Sequence, residues 1–234
     1  MTLVAFGASV RGPAHAAENI ANQDALGLRG CRRGWFTAVC DGLGSHPLSH
    51  VGAQAMARAA SVVLCAQSSM PSHASLPAHL HQEWLRELGN IPPESAGTTC
   101  LAACADPRGR VVFAQLGDGL IVVRSAGNTW VPTGTRTGFG NETAAVGNAH
   151  QPEQWLTGEV TLSEPGDGIV MMTDGVSDDL QEPLLPQFFA ALRRDLTIRS
   201  RRSGKRWLER QFNKWPVPMH GDDKTVSAIF KVSR

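Results

Sequence analysis

The stretch that decides the fold is Trp35-Phe-Thr-Ala-Val-Cys-Asp-Gly-Leu-Gly-Ser-His46. An apolar run with the residue types of a buried strand ends in a carboxylate and a glycine turn. An isolated carboxylate is very costly to bury, so Asp41 needs a partner. Gly42 and Gly44 allow a tight turn that brings carbonyl oxygens close to whatever the carboxylate holds. The stretch therefore predicts a strand that delivers Asp41 to a binding site.

The pattern of an apolar strand beside acidic residues returns twice. Gly168-Ile-Val-Met-Met-Thr-Asp174-Gly175 also ends in Asp-Gly, and Gly221-Asp222-Asp223-Lys-Thr-Val-Ser-Ala-Ile-Phe230 places acids at the start of a strand. A single Asp-Gly most often marks a turn. Three strands that carry carboxylates at one end instead predict a shared acidic site. Oxygen ligands of this kind suit Mg²⁺ or Mn²⁺.

Length and composition narrow the class of protein. A chain of 234 residues fits one domain, residues 1–234, and a net charge of +1 gives no general attraction to nucleic acid or anionic membranes. The sequence lacks a membrane span and a signal peptide, so we expect a cytoplasmic location. Five cysteines without a Cys-x-x-Cys pair argue against a disulfide framework and a zinc knuckle. Cys40, Cys65 and Cys100 lie in apolar runs and are expected in the core.

Hydrophobic periodicity and turn residues predict helices mixed with antiparallel strands. The predicted strands are 3–10, 98–105, 110–116, 120–124, 129–131, 168–173 and 225–232, and the predicted helices are 48–66, 75–88, 184–195 and 203–214. Tight turns at 106–109 and 125–128 join consecutive strands, which indicates antiparallel sheet rather than βαβ units. The segment 133–157 is rich in Gly, Thr and Asn and is predicted to be a long loop.

Further charged residues have less specific patterns. Asp118 lies between two glycines inside a β-rich region, where metal or water coordination is the preferred interpretation. Asp178 follows Asp174 by four residues and fits either a metal ligand or an acid at a helix N-terminus. The basic run 193–206 is predicted to be a solvated face and loop. Three histidines do not share one helix face and are predicted to be solvated: His73, His79 and His81.

Five short motifs together resemble the metal-dependent Ser/Thr protein phosphatases of type 2C (the PPM family), in particular its compact bacterial branch. They are Asp41-Gly42, Gly97-Thr98-Thr99, Gly117-Asp118-Gly119, Thr173-Asp174-Gly175 and Asp222-Asp223-Lys224-Thr225. With their flanks they run from about Gly7 to Phe230, which is nearly the whole chain. The resemblance implies an α+β fold, a four-layer α-β-β-α sandwich of two antiparallel sheets flanked by helices, with metals at one end.

The resemblance also implies chemistry at two metal ions. Asp41, Asp174 and Asp222 match the catalytic carboxylates, Gly42 would add its carbonyl to the second ion, and Asp222 rather than Asp223 matches the ligand. Two Mg²⁺ or Mn²⁺ ions roughly 3.5 to 4 Å apart would activate a bridging water for in-line attack on a phosphate monoester, without a phosphoenzyme. A weaker third ion would have ligands that match two further acids, Asp118 and Asp178.

Around the metals, the sequence departs from the family pattern. Either Arg11 or His15 can take the place of the arginine with which the family holds the substrate phosphate. Asp24 matches the last acid of the family's Asn-Glu-Asp signature. Leu43 replaces a histidine found in some relatives, which leaves His46 or water to protonate the leaving group. The loop 133–157 matches the region of the family's flap, and it includes Asn141-Glu142-Thr143.

The function expected from this resemblance is hydrolysis of phosphoserine and phosphothreonine in proteins. The partners would be a phosphoprotein substrate and a separate Ser/Thr kinase, and the chain would be a monomer that binds neither nucleic acid nor membrane. One alternative is a catalytically weak domain of the same fold that acts as a regulatory binding module, which the loss of a ligand would favour. Another is a metal-dependent nuclease, which predicts a basic groove beside the acids.

Overall fold

The computed structural model describes residues 1–32, 34–66, 70–132, 144–147, 151–215, 217 and 220–233. Most of the predicted loop, residues 133–143 and 148–150, lies outside this part of the chain, and so does its Asn141-Glu142-Thr143 motif.

Ten strands and six α-helices make up the regular structure of the described residues. The strands are β1 (Thr2–Val10), β2 (Asp24–Cys31), β3 (Gly34–Asp41), β4 (Cys100–Ala105), β5 (Arg110–Leu116), β6 (Leu120–Ser125), β7 (Asn128–Trp130), β8 (Leu156–Thr161), β9 (Gly168–Met172) and β10 (Lys224–Val232). The helices are α1 (Pro13–Ala17), α2 (Ser49–Ala66), α3 (Leu76–Leu88), α4 (Asp174–Ser177), α5 (Leu185–Thr197) and α6 (Arg201–Phe212).

The strands form two five-stranded antiparallel sheets. The first sheet has the order β1-β10-β9-β6-β7, and the second has the order β2-β3-β4-β5-β8. As predicted, the C-terminal strand β10 is central, between β1 and β9. Strand β4 is buried at every position, because sheet neighbours lie on both sides of it and apolar layers cover both of its faces.

Three apolar clusters hold the layers together. One lies between the two sheets and contains Val39, Leu101 and Met171. The second cluster packs α2 and α3 onto the outer face of the sheet that contains β2, β3, β4, β5 and β8. The third cluster packs α5 and α6 onto the outer face of the other sheet. The fold is therefore the predicted α-β-β-α sandwich. At about 25 cal/mol for each Å² of apolar surface removed from water, these clusters are the main source of stability.

Helix α2 packs unusually close to its neighbours because six of its residues are alanine and one is glycine. A Cβ atom at Gly52 would lie 1.8 Å from the carbonyl oxygen of Ala96, so only glycine fits at this point. The carbonyl of Gly52 accepts a hydrogen bond of 3.1 Å from Trp84 Nε1, which gives this fully buried indole its polar partner.

The structure corrects several expectations from the sequence. Strands β5 and β6 lie in different sheets, because the bend between them carries the chain from one sheet to the other. Strand β8 was missed because it begins inside the predicted loop, and β2 was not assigned as a strand. Cys65 is half-buried rather than in the core. His81 is not solvated, since it is buried and its Nε2 lies 2.9 Å from the carbonyl oxygen of Gly147.

Within the part of the chain that the structure describes, no helix combines the length and the apolar composition needed to cross a membrane.

Candidate metal centre

Asp41 and Asp24 lie opposite one another at the paired ends of β3 and β2. The backbone of Asp41 is held by the predicted Gly-Thr-Thr motif. Thr99 donates its N–H to the Asp41 carbonyl at 2.7 Å and accepts the Asp41 N–H on its hydroxyl at 2.9 Å, and the Thr98 hydroxyl also donates to that carbonyl. The two threonines therefore fix the direction in which the Asp41 side chain leaves the sheet.

Asp174 begins the short helix α4 directly after β9, and the acidic pair before β10 lies beside it. A Cβ atom at Gly175 would lie 1.9 Å from the Asp223 carbonyl oxygen, so the glycine lets these two segments touch. Thr173 and Thr225 join them further, because the Thr225 N–H donates to the Thr173 hydroxyl at 3.1 Å. The ends of β9 and β10 are thus packed backbone to backbone.

The two adjacent acids before β10 have different surroundings. Asp223 is buried and accepts the N–H of Gly12 on one oxygen and the N–H of Gln23 on the other, both at 2.6 Å. Its carboxylate therefore ties the segments after β1 and before β2 to the start of β10. Asp222 is half-buried, and one of its oxygens accepts the N–H of Asp223 at 2.7 Å.

The carboxylates of this region act on one another electrostatically. Burial raises the pKa of Asp41 to about 11, and the charges of Asp24, Asp174 and Asp222 and a hydrogen bond with Asp174 add to the effect. Burial also raises the pKa of Asp24 to about 7, against hydrogen bonds from the Thr225 and Thr173 hydroxyls that lower it. The pKa of Asp174 is raised by burial and by the charges of Asp118 and Asp222.

The two acids predicted to hold a third ion lie at the edge of the same group. Asp118 sits in the bend between β5 and β6, and Asp178 follows the last residue of α4, with its N–H bonded to the Asp174 carbonyl at 3.0 Å. Burial and the charge of Asp118 raise the pKa of Asp178. The structure therefore brings all the predicted carboxylates to one end of the sandwich.

His15 and Arg11 are separated by their environments. His15 is half-buried in α1, and its Nδ1 lies 2.9 Å from an Asp223 oxygen, although the ring is not aligned for a good hydrogen bond. Arg11 is exposed, and its guanidinium donates to the Ile20 carbonyl at 3.3 Å. Among the described residues, His15, Asp222 and Asp223 are the set whose potential ligand atoms all lie within 4.8 Å of one another.

Gly97 of the Gly-Thr-Thr motif restricts the orientation of the His46 side chain. The Gly97 N–H donates to His46 Nδ1 at 3.3 Å, and a Cβ atom at residue 97 would lie 2.9 Å from the ring. The N–H of His46 bonds the Leu43 carbonyl at 2.8 Å within the turn that follows Asp41. The ring is thus fixed at the edge of the turn, with Nε2 as its other polar atom.

The sequence interpretation missed two supports of the site. Lys224 is buried, and its ammonium donates to the carbonyls of His220 and Asp222 at 3.2 and 3.0 Å. Asp179 accepts from Trp215 Nε1 at 2.5 Å and lies 2.6 Å from His220 Nδ1, so it ties the chain after α6 to the end of α4. In the sequence, Asp179 directly follows the predicted ligand Asp178, and this adjacent acid was the available signal for a separate anchoring role.

The sequence matches the family model of protein phosphatase 2C over residues 11–213. The chain belongs to the protein phosphatase 2C family. Its class is therefore that of the metal-dependent phosphatases. A search of curated proteins finds no significant match.

Solved structures of phosphatases share the fold of this protein phosphatase 2C chain. The catalytic domain of the serine/threonine protein phosphatase PstP with two manganese ions has a TM-score of 0.68 and 19% identity over 99% of both chains. A serine/threonine phosphatase of S. agalactiae has a TM-score of 0.68 and 17% identity, covering 99% of this chain and 100% of its own. RsbX in complex with magnesium has a TM-score of 0.63 and 13% identity over 98% of this chain and 95% of its own.

The donor set of this family member fits divalent cations. The pKa values of Asp41 and Asp174 are raised because these carboxylates are buried near other negative charges. A hard cation bound between them would neutralise this charge. The side chains of Asp41, Asp174 and Asp222 offer oxygen atoms only, as Mg²⁺ and Mn²⁺ prefer. The buried ammonium of Lys224 donates to backbone carbonyls and also interacts with the charges of Asp222, Asp223 and Asp24.

Proposed function

We propose that this chain hydrolyses phosphoserine and phosphothreonine in proteins, with two Mg²⁺ or Mn²⁺ ions in the carboxylate cluster. The observation that carries the proposal is the convergence of Asp41, Asp174 and Asp222 at one end of the sandwich, where burial and mutual repulsion raise the pKa values of the first two. Membership of the protein phosphatase 2C family supports it. With this ligand set intact, a purely regulatory binding module is not favoured.

In this proposal each group has one task. Asp41 is the central ligand because its backbone is fixed by the two threonines, and Asp174, Asp222 and the Gly42 carbonyl complete the set. Asp118 and Asp178 are ligands of a weaker third ion. When bound, divalent cations supply a water nucleophile at neutral pH and neutralise charge on the phosphate. Asp24 accepts the Thr173 hydroxyl at 2.9 Å and so braces the strand ends behind Asp41 and Asp174.

We assign the phosphate contact to His15 rather than Arg11. His15 lies within 4.8 Å, atom to atom, of the acidic pair before β10, whereas the Arg11 guanidinium is exposed and bonded to a backbone carbonyl. Nδ1 of the His15 ring lies 2.9 Å from an Asp223 oxygen, and Nε2 is the other polar atom of the ring and the one that we assign to the phosphate contact. The proton for the leaving serine or threonine oxygen would come from water or from Nε2 of His46.

The physiological setting is part of the same proposal. The serine/threonine phosphatases that share this fold support a phosphoprotein substrate, which a separate Ser/Thr kinase would supply. We propose that residues 1–234 form one phosphatase domain, since those structures match 99% of the chain. We propose a monomer in the cytoplasm that binds neither nucleic acid nor membrane.

A pair of chromogenic esters tests the substrate class. The protein is incubated with p-nitrophenyl phosphate or with bis(p-nitrophenyl) phosphate, each with Mn²⁺, Mg²⁺ or EDTA. We expect metal-dependent hydrolysis of the monoester and little of the diester. Preferential hydrolysis of the diester would contradict the proposal and favour the nuclease alternative.

A further inference from the structure

A pocket with two thiols opens at the end of β2 that is remote from the carboxylates. It has a volume of about 530 Å³ and is lined by Arg29, Cys31 and Arg32 from β2 and its turn, and by Ser61, Val62 and Cys65 from α2. Strand β2 begins at Asp24 beside the metal centre and ends at Cys31. At about 3.3 Å for each strand residue, the thiols lie roughly 20 Å from the carboxylates.

The two thiols line the same pocket from β2 and α2 and lie close enough for one to act on the other. After burial, the charge of Cys31 and a hydrogen bond with it are the causes that raise the pKa of Cys65 to about 11, while the Arg29 guanidinium acts in the opposite direction. Both cysteines are half-buried free thiols. Two cysteines that line one pocket, on elements that pack together, need little backbone movement to form a bond.

The other three cysteines provide an internal comparison. Cys40 and Cys100 also lie close to one another, on the neighbouring strands β3 and β4, but both are completely buried. Cys104 is 3% exposed, and its sulfur lies 3.7 Å from the Leu64 carbonyl oxygen. A dissolved oxidant therefore reaches Cys31 and Cys65 through the pocket, whereas the core packing shields the rest.

We propose that Cys31 and Cys65 are a site of reversible oxidation, at which hydrogen peroxide converts the two thiols into a disulfide that ties β2 to α2. Peroxide first oxidises one thiol to a sulfenic acid and releases one water. The second thiol then attacks the sulfenic sulfur, the S–S bond forms, and the hydroxyl leaves as a second water with the thiol proton. The balance is two thiols and one peroxide to one disulfide and two waters.

The Arg29 guanidinium acts against the burial that raises the pKa of the Cys65 thiol. Thiolate is the form of cysteine that attacks peroxide, and a nearby guanidinium stabilises its negative charge. Arg29 and Arg32 are both exposed and line the same pocket as the sulfurs. A disulfide at such an accessible position can be opened by a reducing thiol, so the modification is reversible.

The experiment uses the full chain after removal of metal with EDTA, which prevents metal-catalysed oxidation. The protein is treated with hydrogen peroxide and the remaining thiols are alkylated. Intact mass spectrometry and non-reducing peptide mapping then follow. We expect a mass lower by two hydrogen atoms, three alkylated cysteines, and one cross-linked pair of peptides that contains residues 31 and 65. Dithiothreitol should restore the starting mass.

Three variants separate this site from other thiol chemistry. Cys31→Ser and Cys65→Ser each remove one partner at a half-buried position and should abolish the cross-link, whereas the buried control Cys104→Ala should retain it. Circular dichroism checks that each variant is folded. Five alkylated thiols in the peroxide-treated wild type, a cross-link between residues 40 and 100, or oxidation to sulfinic acid without any cross-link would overturn the proposal.

Discussion

His15 and Asp223 form the pair by which this site departs most clearly from the pattern of its family. His15, on the short helix α1, is the residue to which we assign the phosphate contact that the family makes with an arginine, and its Nδ1 lies 2.9 Å from an oxygen of Asp223. Asp223 also accepts two backbone N–H groups, so it is fixed without the help of the ring. A fixed acceptor on one side of an imidazole orients its other nitrogen.

The first prediction compares the two candidates for phosphate binding. His15→Gln should lower kcat/KM for a phosphothreonine peptide by about 10- to 100-fold, because a hydrogen bond to a charged group contributes about 1.5 to 3 kcal/mol. The matched variant Arg11→Gln, four residues away, should stay within about threefold of wild type. Steady-state kinetics at saturating Mn²⁺ makes the comparison. A larger loss in Arg11→Gln than in His15→Gln would contradict our assignment.

The second prediction concerns pH and the carboxylates of the metal-free protein. Burial raises the pKa of Asp24 to about 7, so the folded protein holds this proton more tightly than the unfolded chain. Protonated Asp24 therefore stabilises the folded state. This stabilisation is complete below about pH 3.9, the pKa of the residue in the unfolded chain, and is lost as pH rises through about 7. In EDTA, the ionisation of Asp24 should contribute a fall of roughly 1 to 3 kcal/mol to the free energy of unfolding between about pH 5 and pH 8, in addition to the fall contributed by Asp41, whose pKa is raised further.

Urea denaturation across this pH range measures the effect, with Asp24→Asn as the control. The variant cannot ionise at this position and should show a smaller fall. Saturating Mn²⁺ should remove the fall in the wild type, because the cation binds the ionised carboxylates. A wild-type stability that stays constant or rises with pH in EDTA would contradict the electrostatic account.

At the scale of single residues, sequence motifs allowed candidate ligands to be named, whereas properties that depend on side-chain orientation could not be read from the sequence. The acids at 41, 118, 174 and 222 could be named because each lies beside a glycine, and Asp178 could be named because it follows Asp174 by four residues. The sequence left the choice between Arg11 and His15 open, since it depends on which of the two side chains lies towards Asp223. Lys224 was missed because its ammonium is bonded to backbone carbonyls, which sequence does not reveal.

At the scale of elements, the packing of α2 is set by its small residues. Alanine in a helix interior is normally more stable than glycine by about 1 kcal/mol. At position 52 a methyl group would lie 1.8 Å from the Ala96 carbonyl oxygen, so the helix would have to move away from its neighbour. The normal preference should therefore reverse here.

The third prediction follows from this contact. Gly52→Ala should lower the free energy of unfolding by about 1 to 3 kcal/mol, the range for overpacking a core. Gln54→Ala, at an exposed position two residues along the same helix, tests helix propensity alone and should change stability by less than about 0.5 kcal/mol. Urea denaturation at constant pH gives both values. An increase in stability for Gly52→Ala would show that the helix packs less tightly than described.

Elements with strong periodicity were predicted to within a few residues, and the exceptions have local causes. Helices α2 and α3 and strand β10 carry long apolar patterns. Strand β8 lies at the edge of its sheet and is mostly half-exposed, so its residues are polar and resemble a loop. The separation of β5 and β6 into different sheets depends on how the chain turns at 117–119, and two strands joined by a short bend look like a hairpin in sequence.

At the scale of the whole molecule, the site exists because two sheets present their strand ends together. Asp41 comes from one sheet, whereas Asp174 and Asp222 flank strands of the other. The layer arrangement was predictable only through the family resemblance, since periodicity assigns strands but not sheet partners. The oxidisable pair, Cys31 and Cys65, lies at the opposite end of β2, so changes there leave the ligand set untouched.

The fourth prediction addresses the central claim, which is that the carboxylates at 41, 174 and 222 hold the ions for phosphate hydrolysis. Phosphate release from a phosphothreonine peptide is measured with Mn²⁺ and with EDTA for wild type, Asp174→Asn, Asp222→Asn and the surface control Asp195→Asn. We predict activity that requires metal, falls about 10²- to 10³-fold in the two site variants and persists in the control. A folded wild type without turnover in Mn²⁺ or Mg²⁺, or site variants as active as wild type, would contradict the account.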